Sequence, residues 1–195
     1  MAQGPLIILS GPSGVGKSTV IRRLLTEGGP PMRLSVSATT RARREGERDR
    51  VDYTFWTPER FQQEIDAGGF LEWAEVHDRR YGTLRSEVDR WLARGCGVLL
   101  DIDVQGAEQV RRKCPHALSI FLKLPSWEMY EERLRKRHTE DEPAIARRLA
   151  TARGELERAG EYDFQIANVD LATAVAEVRG LIAQRFERGT TCSTS

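Results

Sequence analysis

Apolar residues in this chain collect in short unbroken runs, separated by stretches of helical periodicity. Residues 5–10 (PLIILS), 97–103 (GVLLDID) and 118–124 (LSIFLKL) are apolar with little alternation, as expected of strands buried on both faces of a parallel sheet. Val20, Ile21, Leu24 and Leu25 recur at helical spacing until Gly28-Gly29-Pro30-Pro31 ends the pattern. Residues 84–94, 104–113 and 171–188 also read as helices. Residues 128–161 form a charged, mostly helical stretch that starts from Pro125-Ser126 and breaks near 138–143. A short strand fits 163–167, and the tail 189–195 (GTTCSTS) reads as frayed. Strands alternating with helices at both ends predict an α/β fold, a parallel sheet covered by helices on both faces.

Residues 35–84 follow a different pattern. Strand candidates at 34–38, 53–56 and 70–76 are shorter and more polar, and one helix runs from Pro58 to before Gly68-Gly69. Residues 41–50 (RARREGERDR) hold five arginines and three acids and read as a loop, and 81–83 fall just past a turn. This segment reads as a β-rich lobe inserted into the α/β core.

Between the first strand and the first helix lies Gly11-Pro12-Ser13-Gly14-Val15-Gly16-Lys17-Ser18, followed by Thr19. It fits G-x-x-x-x-G-K-[ST] without mismatch, in the strand–loop–helix context that the motif needs. Glycines let successive backbone N–H groups converge on phosphate oxygens, and the helix N-terminus adds its dipole. Lys17 can reach the β- and γ-phosphates of a nucleoside triphosphate, and the Ser18 hydroxyl can ligate Mg2+. Asp101, at the C-terminal end of an apolar strand, stands where open α/β sheets bind ligands and can serve the same metal, directly or through water.

Composition and charge narrow the partners. The 195 residues carry a net charge of +1, which does not fit a broad nucleic-acid surface. No apolar run approaches the roughly 20 residues of a membrane span, and the first ten residues lack the basic start of a signal peptide. Three cysteines, Cys96, Cys114 and Cys192, form no metal-binding or disulfide framework, so a reducing cytoplasm is the expected setting. Of the 30 basic residues only Lys17, Lys113, Lys123 and Lys136 are lysines. The base composition of the source explains most of this bias, but some arginines stand where an anion could be bound. Arg41 and Arg44 frame the polar loop, and Arg133, Arg137, Arg147 and Arg148 flank the break in the charged helix. Any one of them could equally be a surface ion-pair partner. There is no NKxD stretch of the kind that reads guanine in GTPases. The arginine sets therefore favour phosphoryl transfer to a small anionic acceptor.

Several further stretches occur together and in order: SVSATTRARREGERDRVDYTF (35–55), FLEWAEV (70–76), YGT (81–83), LLDIDVQGA (99–107), RLxxR (133–137) and IARRLATARGEL (145–156). With them the chain resembles the guanylate kinases from about residue 5 to 186. The resemblance implies a P-loop NTPase core (4–34, 85–125 and 160–188), a GMP-binding lobe (35–84) and a helical lid (126–159), within a domain spanning 4–186. It implies transfer of a phosphoryl group from MgATP to GMP, and to dGMP as well, with no nucleic-acid or membrane partner. The oligomeric state stays undecided.

By resemblance, residues 11–19, Arg133 and Asn168 bind ATP, with Asn168 near the adenine. Arg41, Arg44, Tyr53 and Tyr81 clamp the GMP phosphate. Glu72 reads the guanine N–H groups, and Ser37 and Thr83 donate to its O6. Asp101 and Asp103 form an acidic pair that positions nucleotide and metal, and Arg137 and Arg148 close with the lid. The catalytic set is then Lys17, Arg41, Arg137, Arg148 and Asp101. Four features depart from the usual family pattern: Arg43, the Arg79-Arg80 pair, His138 and Val169. Two other readings remain. One is a phosphopeptide-binding module, whose phosphate loop is typically degraded. The other is a sugar-phosphate kinase, which has no use for Glu72 with Ser37 and Thr83.

Overall fold

A computed structural model describes residues 3–76, 78–135 and 142–188. Strand β1 (Leu6–Ser10) is the centre of a five-stranded sheet. It pairs in parallel with β7 (Gly97–Asp101) and β8 (Leu118–Lys123), and β2 (Met32–Leu34) and β9 (Phe164–Ala167) close the two edges in the same sense. The order is β2-β7-β1-β8-β9. The unbroken apolar run of β1 follows from its position. Leu6 and Ile8 enter one core with α3 (Arg85–Leu92) and α4 (Val104–Lys113). Ile7 and Leu9 enter the other with α1 (Lys17–Thr26) and α7 (Leu171–Glu187). Side chains alternate across a strand, so a strand buried on both faces must be apolar at every position. The helix starts follow local rules: Asp103 caps α4 by accepting from Gly106 N, and Asp170 caps α7 by accepting from Thr173 N.

The inserted lobe carries its own sheet, ordered β4-β3-β6-β5, from β3 (Ala38–Thr39), β4 (Thr54–Phe55), β5 (Phe70–Val76) and β6 (Arg79–Leu84). Helix α2 (Pro58–Asp66) starts with Thr57 accepting from Arg60 N, and with proline in its first turn. Its Phe61 stacks on Phe70, with ring centroids 4.5 Å apart, and Trp56, Ile65, Trp73 and Leu84 close around them. Phe61 is fully buried. Phe61→Ala is expected to cost the lobe about 3–5 kcal/mol, read as an earlier urea transition in Trp56 and Trp73 fluorescence.

Two sequence expectations need correction here. The strand expected over 34–38 is two strands in different sheets: β2 ends at Leu34 in the core, β3 starts at Ala38 in the lobe, and 35–37 carry the chain across. Residues 81–83 fall just past the turn at Asp78, as expected, and lie inside β6, which pairs with both β3 and β5. The strand beginning at Gly97 stops at Asp101, because Asp103 is already the cap of α4. The charged stretch is α5 (Trp127–Arg135), α6 (Glu142–Glu157) and a 3-10 turn at Ala159–Glu161.

Many of the abundant arginines form surface ion pairs, such as Arg60 with Glu64 and Arg158 with Glu108 and Glu161, which contribute little individually. Among the described residues, Cys96 and Cys114 are not joined in a disulfide, and no helix is long and apolar enough to cross a membrane.

Candidate active site

The loop between β1 and α1 has the conformation that anion binding requires. Gly16, the N-cap of α1, has φ 97° and offers no side chain to cap the helix, so the first-turn amides stay available to an anion. Any Cβ at Gly16 would lie 2.7 Å from Asn168 Nδ2, and one at Gly11 only 2.3 Å from Leu122 O. The loop is thus pressed against the sheet, and glycine is the residue that allows it. Lys17 Nζ donates to Gly11 O at 2.6 Å, curling its side chain back over the loop. Ser18 is exposed to the cleft, while Val15 is 1% exposed and can offer only its backbone.

Behind the loop, Asn168 Nδ2 donates to Val15 O at 2.7 Å. Arg133 bridges Val15 O and Asn168 O at 3.3 and 3.2 Å. These two side chains, expected to bind ATP, brace the loop from outside the lining of the cavity above it. Ser10 Oγ donates to Ile102 O at 2.8 Å, tying the end of β1 to the turn that carries Asp101 and Asp103.

A cavity of about 470 Å³ opens over the loop. Pro12, Ser13, Gly14, Lys17, Ser18 and Thr19 line it together with Tyr53, Asp101, Asp103 and Arg148. A second cavity of about 210 Å³ adjoins it, lined by Ser37, Glu72, Tyr81 and again Tyr53, Asp101 and Asp103. The shared wall brings the two acids between the sites. Asp101 is reached by solvent through the cleft, yet the protein around it raises its carboxyl, with Lys17 opposing. Burial likewise raises the Tyr53 phenol, with Asp101 adding to it.

Glu72 is 4% exposed. The β5–β6 register sets it opposite Thr83, whose Oγ1 donates to Glu72 Oε1 at 2.6 Å. Burial pushes the Glu72 carboxyl up to about 7; the Thr83 bond opposes this and Asp103 adds to it. A hydroxyl has one proton, and that of Thr83 serves Glu72. Thr83, expected to donate to a base oxygen, here gives its proton to Glu72, while Ser37 lines the cavity.

Arg41 is held by Glu47 in a two-pronged pair, at 2.7 and 3.1 Å, with its guanidinium 5.4 Å from the Tyr53 ring centroid. The Glu47 bond raises the Arg41 guanidinium and lowers the Glu47 carboxyl. Arg44 is exposed, and its backbone N–H donates to the same Glu47. Tyr53 and Tyr81 meet edge to face at 5.9 Å. Arg137 and His138 lie outside the described residues.

Sequence reasoning missed Glu155. It projects from α6 into the first cavity, where burial pushes its carboxyl up to about 7 against the pull of Lys17. Its only sequence signal was an acid on a charged helix, which usually means a solvated face.

Comparison with known proteins agrees with this geometry. The sequence profile described as "Guanylate kinase" matches residues 3–185. A guanylate kinase of Mycolicibacterium paratuberculosis is 51% identical over 181 residues, covering 92% of this chain and 81% of that one. One of Symbiobacterium thermophilum is 49% identical over 180 residues, covering 92% and 85%. The crystal structure of guanylate kinase from Anaplasma phagocytophilum superposes with a TM-score of 0.74 at 31% identity, covering 98% of this chain and 90% of that one. A match of this extent, on a fold whose two adjoining cavities share Asp101 and Asp103, establishes that the chain belongs to the guanylate kinase family.

Proposed function

We propose that this chain transfers the γ-phosphoryl group of ATP to GMP, giving ADP and GDP, and that it also accepts dGMP. The observation that carries this reading is the pair of joined cavities, one over a phosphate loop and one holding a buried carboxylate. ATP phosphates lie over the loop, with Lys17 on the β- and γ-phosphates. In the second cavity ionised Glu72 accepts the two guanine N–H groups, and Ser37 donates to O6. Arg41, Arg44, Tyr53 and Tyr81 take the GMP phosphate. For Arg41 this means exchanging Glu47 for a dianion of matching geometry. Arg148, with Arg137 from the lid, neutralises charge on the moving group.

The donor set fits Mg2+. Ser18 and Asp101 offer hard oxygens to the cleft, and among the described residues no cluster of three or more metal-binding side chains exists. That suits an ion held by one or two protein oxygens, nucleotide phosphates and water. When bound, the ion offsets charge on the β- and γ-phosphates. No protein nucleophile is needed. The GMP phosphate is itself largely ionised at neutral pH, with a second pKa of about 6. Its oxygen attacks the γ-phosphorus in line as the bond to the β-phosphate oxygen breaks, and the electron pair leaves with ADP. The protein's part is positioning, charge neutralisation and exclusion of water by a closing lid. The cytoplasm, where free thiols stay reduced, is the proposed location.

The test is ADP release with GMP, dGMP, AMP, UMP and sugar phosphates in parallel. Activity confined to GMP and dGMP supports the reading, and activity only with a sugar phosphate refutes it. A pH profile adds a second check. Only ionised Glu72 can accept both guanine N–H groups. The kcat/KM for GMP should therefore fall as pH drops through about 7, approaching about ten-fold per unit. The phosphate of GMP adds its own inflection about one unit lower. Glu72→Gln should remove the upper inflection and keep the lower one.

A further inference from the structure

Strand β5, which carries Glu72, is an edge strand of the lobe sheet. Its outward backbone groups would be exposed were they not taken by α4, an element of the core. Gln109 holds both polar groups of Trp73: its Nε2 donates to Trp73 O at 2.7 Å, and Trp73 N donates to its Oε1 at 3.3 Å. Lys113 Nζ donates to Leu71 O at 2.6 Å. The spacing is commensurate. Four residues of helix advance about 6 Å, and two residues of strand about 6.7 Å. Gln109 and Lys113 thus meet successive outward carbonyls of β5, with helix and strand running in opposite senses. One turn earlier on the helix, a Cβ at Gly106 would lie 2.5 Å from Glu72 Oε2, and the N–H of Gly106 is fixed by Asp103 at 2.8 Å.

We infer that Gln109, supported by Lys113 and by the close seat of Glu72 on Gly106, is a positioning residue for base selection. It acts as a side-chain surrogate for a neighbouring strand and sets the height and angle of the Glu72 carboxylate above the wall formed by Asp101 and Asp103. Gln109 touches neither cavity, so its effect reaches the acceptor nucleotide only through β5. The inference rests on the reading of Glu72 as the guanine-binding carboxylate.

The test is Gln109→Met, which keeps the length and helix preference of the side chain and removes both hydrogen bonds. The KM for GMP should rise about ten-fold, as sub-ångström misplacement of a recognition group can produce. The KM for ATP and kcat should stay within about two-fold, and the GMP-over-AMP preference should fall in parallel with the GMP effect. A folded Gln109→Met protein with unchanged KM for GMP would overturn the inference, as would equal rises in both KM values. If that variant does not fold, Lys113→Met is judged by the same split, with an expected rise of about three-fold. Glu72→Gln in the same assay separates the two levels. If it keeps full GMP preference, the reading of Glu72 is wrong. If it loses that preference while Gln109→Met behaves as wild type, only the present inference fails.

Discussion

Lys17→Ala is expected to lower kcat by about 10³-fold while leaving the KM for GMP within a few-fold. Lys17 stands at the first residue of α1, beside Ser18 and the loop amides, in the cavity separate from Glu72. Its ammonium now donates to Gly11 O at 2.6 Å. Exchanging a neutral carbonyl for charged phosphate oxygens favours movement toward the β- and γ-phosphates once ATP is present. Charge migrates from the γ-phosphoryl group toward the bridging oxygen during transfer, so a cation there gains most in the transition state, and the loss should fall on kcat. Lys17→Arg is not expected to restore activity. A planar fork cannot occupy the space of a compact ammonium held against Gly11. Steady-state kinetics with both substrates varied will show the split, and near-normal turnover of Lys17→Ala would exclude this loop as the site of transfer.

Glu72→Gln should reduce kcat/KM for GMP by about 10³-fold, since two hydrogen bonds to a charged group, each about 1.5–3 kcal/mol, are lost or inverted. The amide offers one acceptor and turns a donor toward the second guanine N–H. Selectivity over AMP should collapse with it, because rejection of the wrong base depends on leaving that buried carboxylate unpaired. Stability should move the other way. The folded-state value of Glu72 is raised from 4.5 to about 7. The stabilisation linked to its proton is complete below about pH 4.5 and is lost as pH rises through about 7. At pH 8 the ionised group therefore costs on the order of 3 kcal/mol. Glu72→Gln should melt higher than wild type at pH 8 and nearly level with it at pH 5. Thermal unfolding at the two pH values, beside the kinetics, distinguishes a displaced recognition group from a damaged fold.

The parts legible in the sequence were those governed by neighbours in the chain. The loop from Gly11 to Ser18 is a local motif, and the apolar run of β1 signals burial on both faces. The limits of the other elements came from partners far away. Residues 34–38 look like one strand because Leu34, Val36 and Ala38 alternate, but the chain leaves one sheet and enters another between them. Arg79–Leu84 is polar and contains Gly82, so its strand character comes from β3 and β5 on either side of it. The same holds at the site. Resemblance pointed to Glu72 and Thr83 separately, whereas their hydrogen bond is a property of register. It pointed to Asn168 and Arg133 as nucleotide contacts, and the braces they also form on Val15 O depend on how α5 and the end of β9 come beside the loop. Gln109 carried no signal at all, because an amide on a polar helix gains meaning only when a strand edge lies against it.

The alternation along β1 has one more consequence. Since Leu6 and Ile8 belong to one core and Ile7 and Leu9 to the other, neither core can come apart without exposing half of the strand that the other needs. The two layers should unfold as a single cooperative unit. The Phe61–Phe70 cluster shares no residue with either. Leu71 of β5 is buried in the first core, and Gln109 and Lys113 of α4 hold the outer edge of β5. The part of the lobe around Phe61 is therefore expected to open at a lower free energy than the whole molecule while β5 stays with the core.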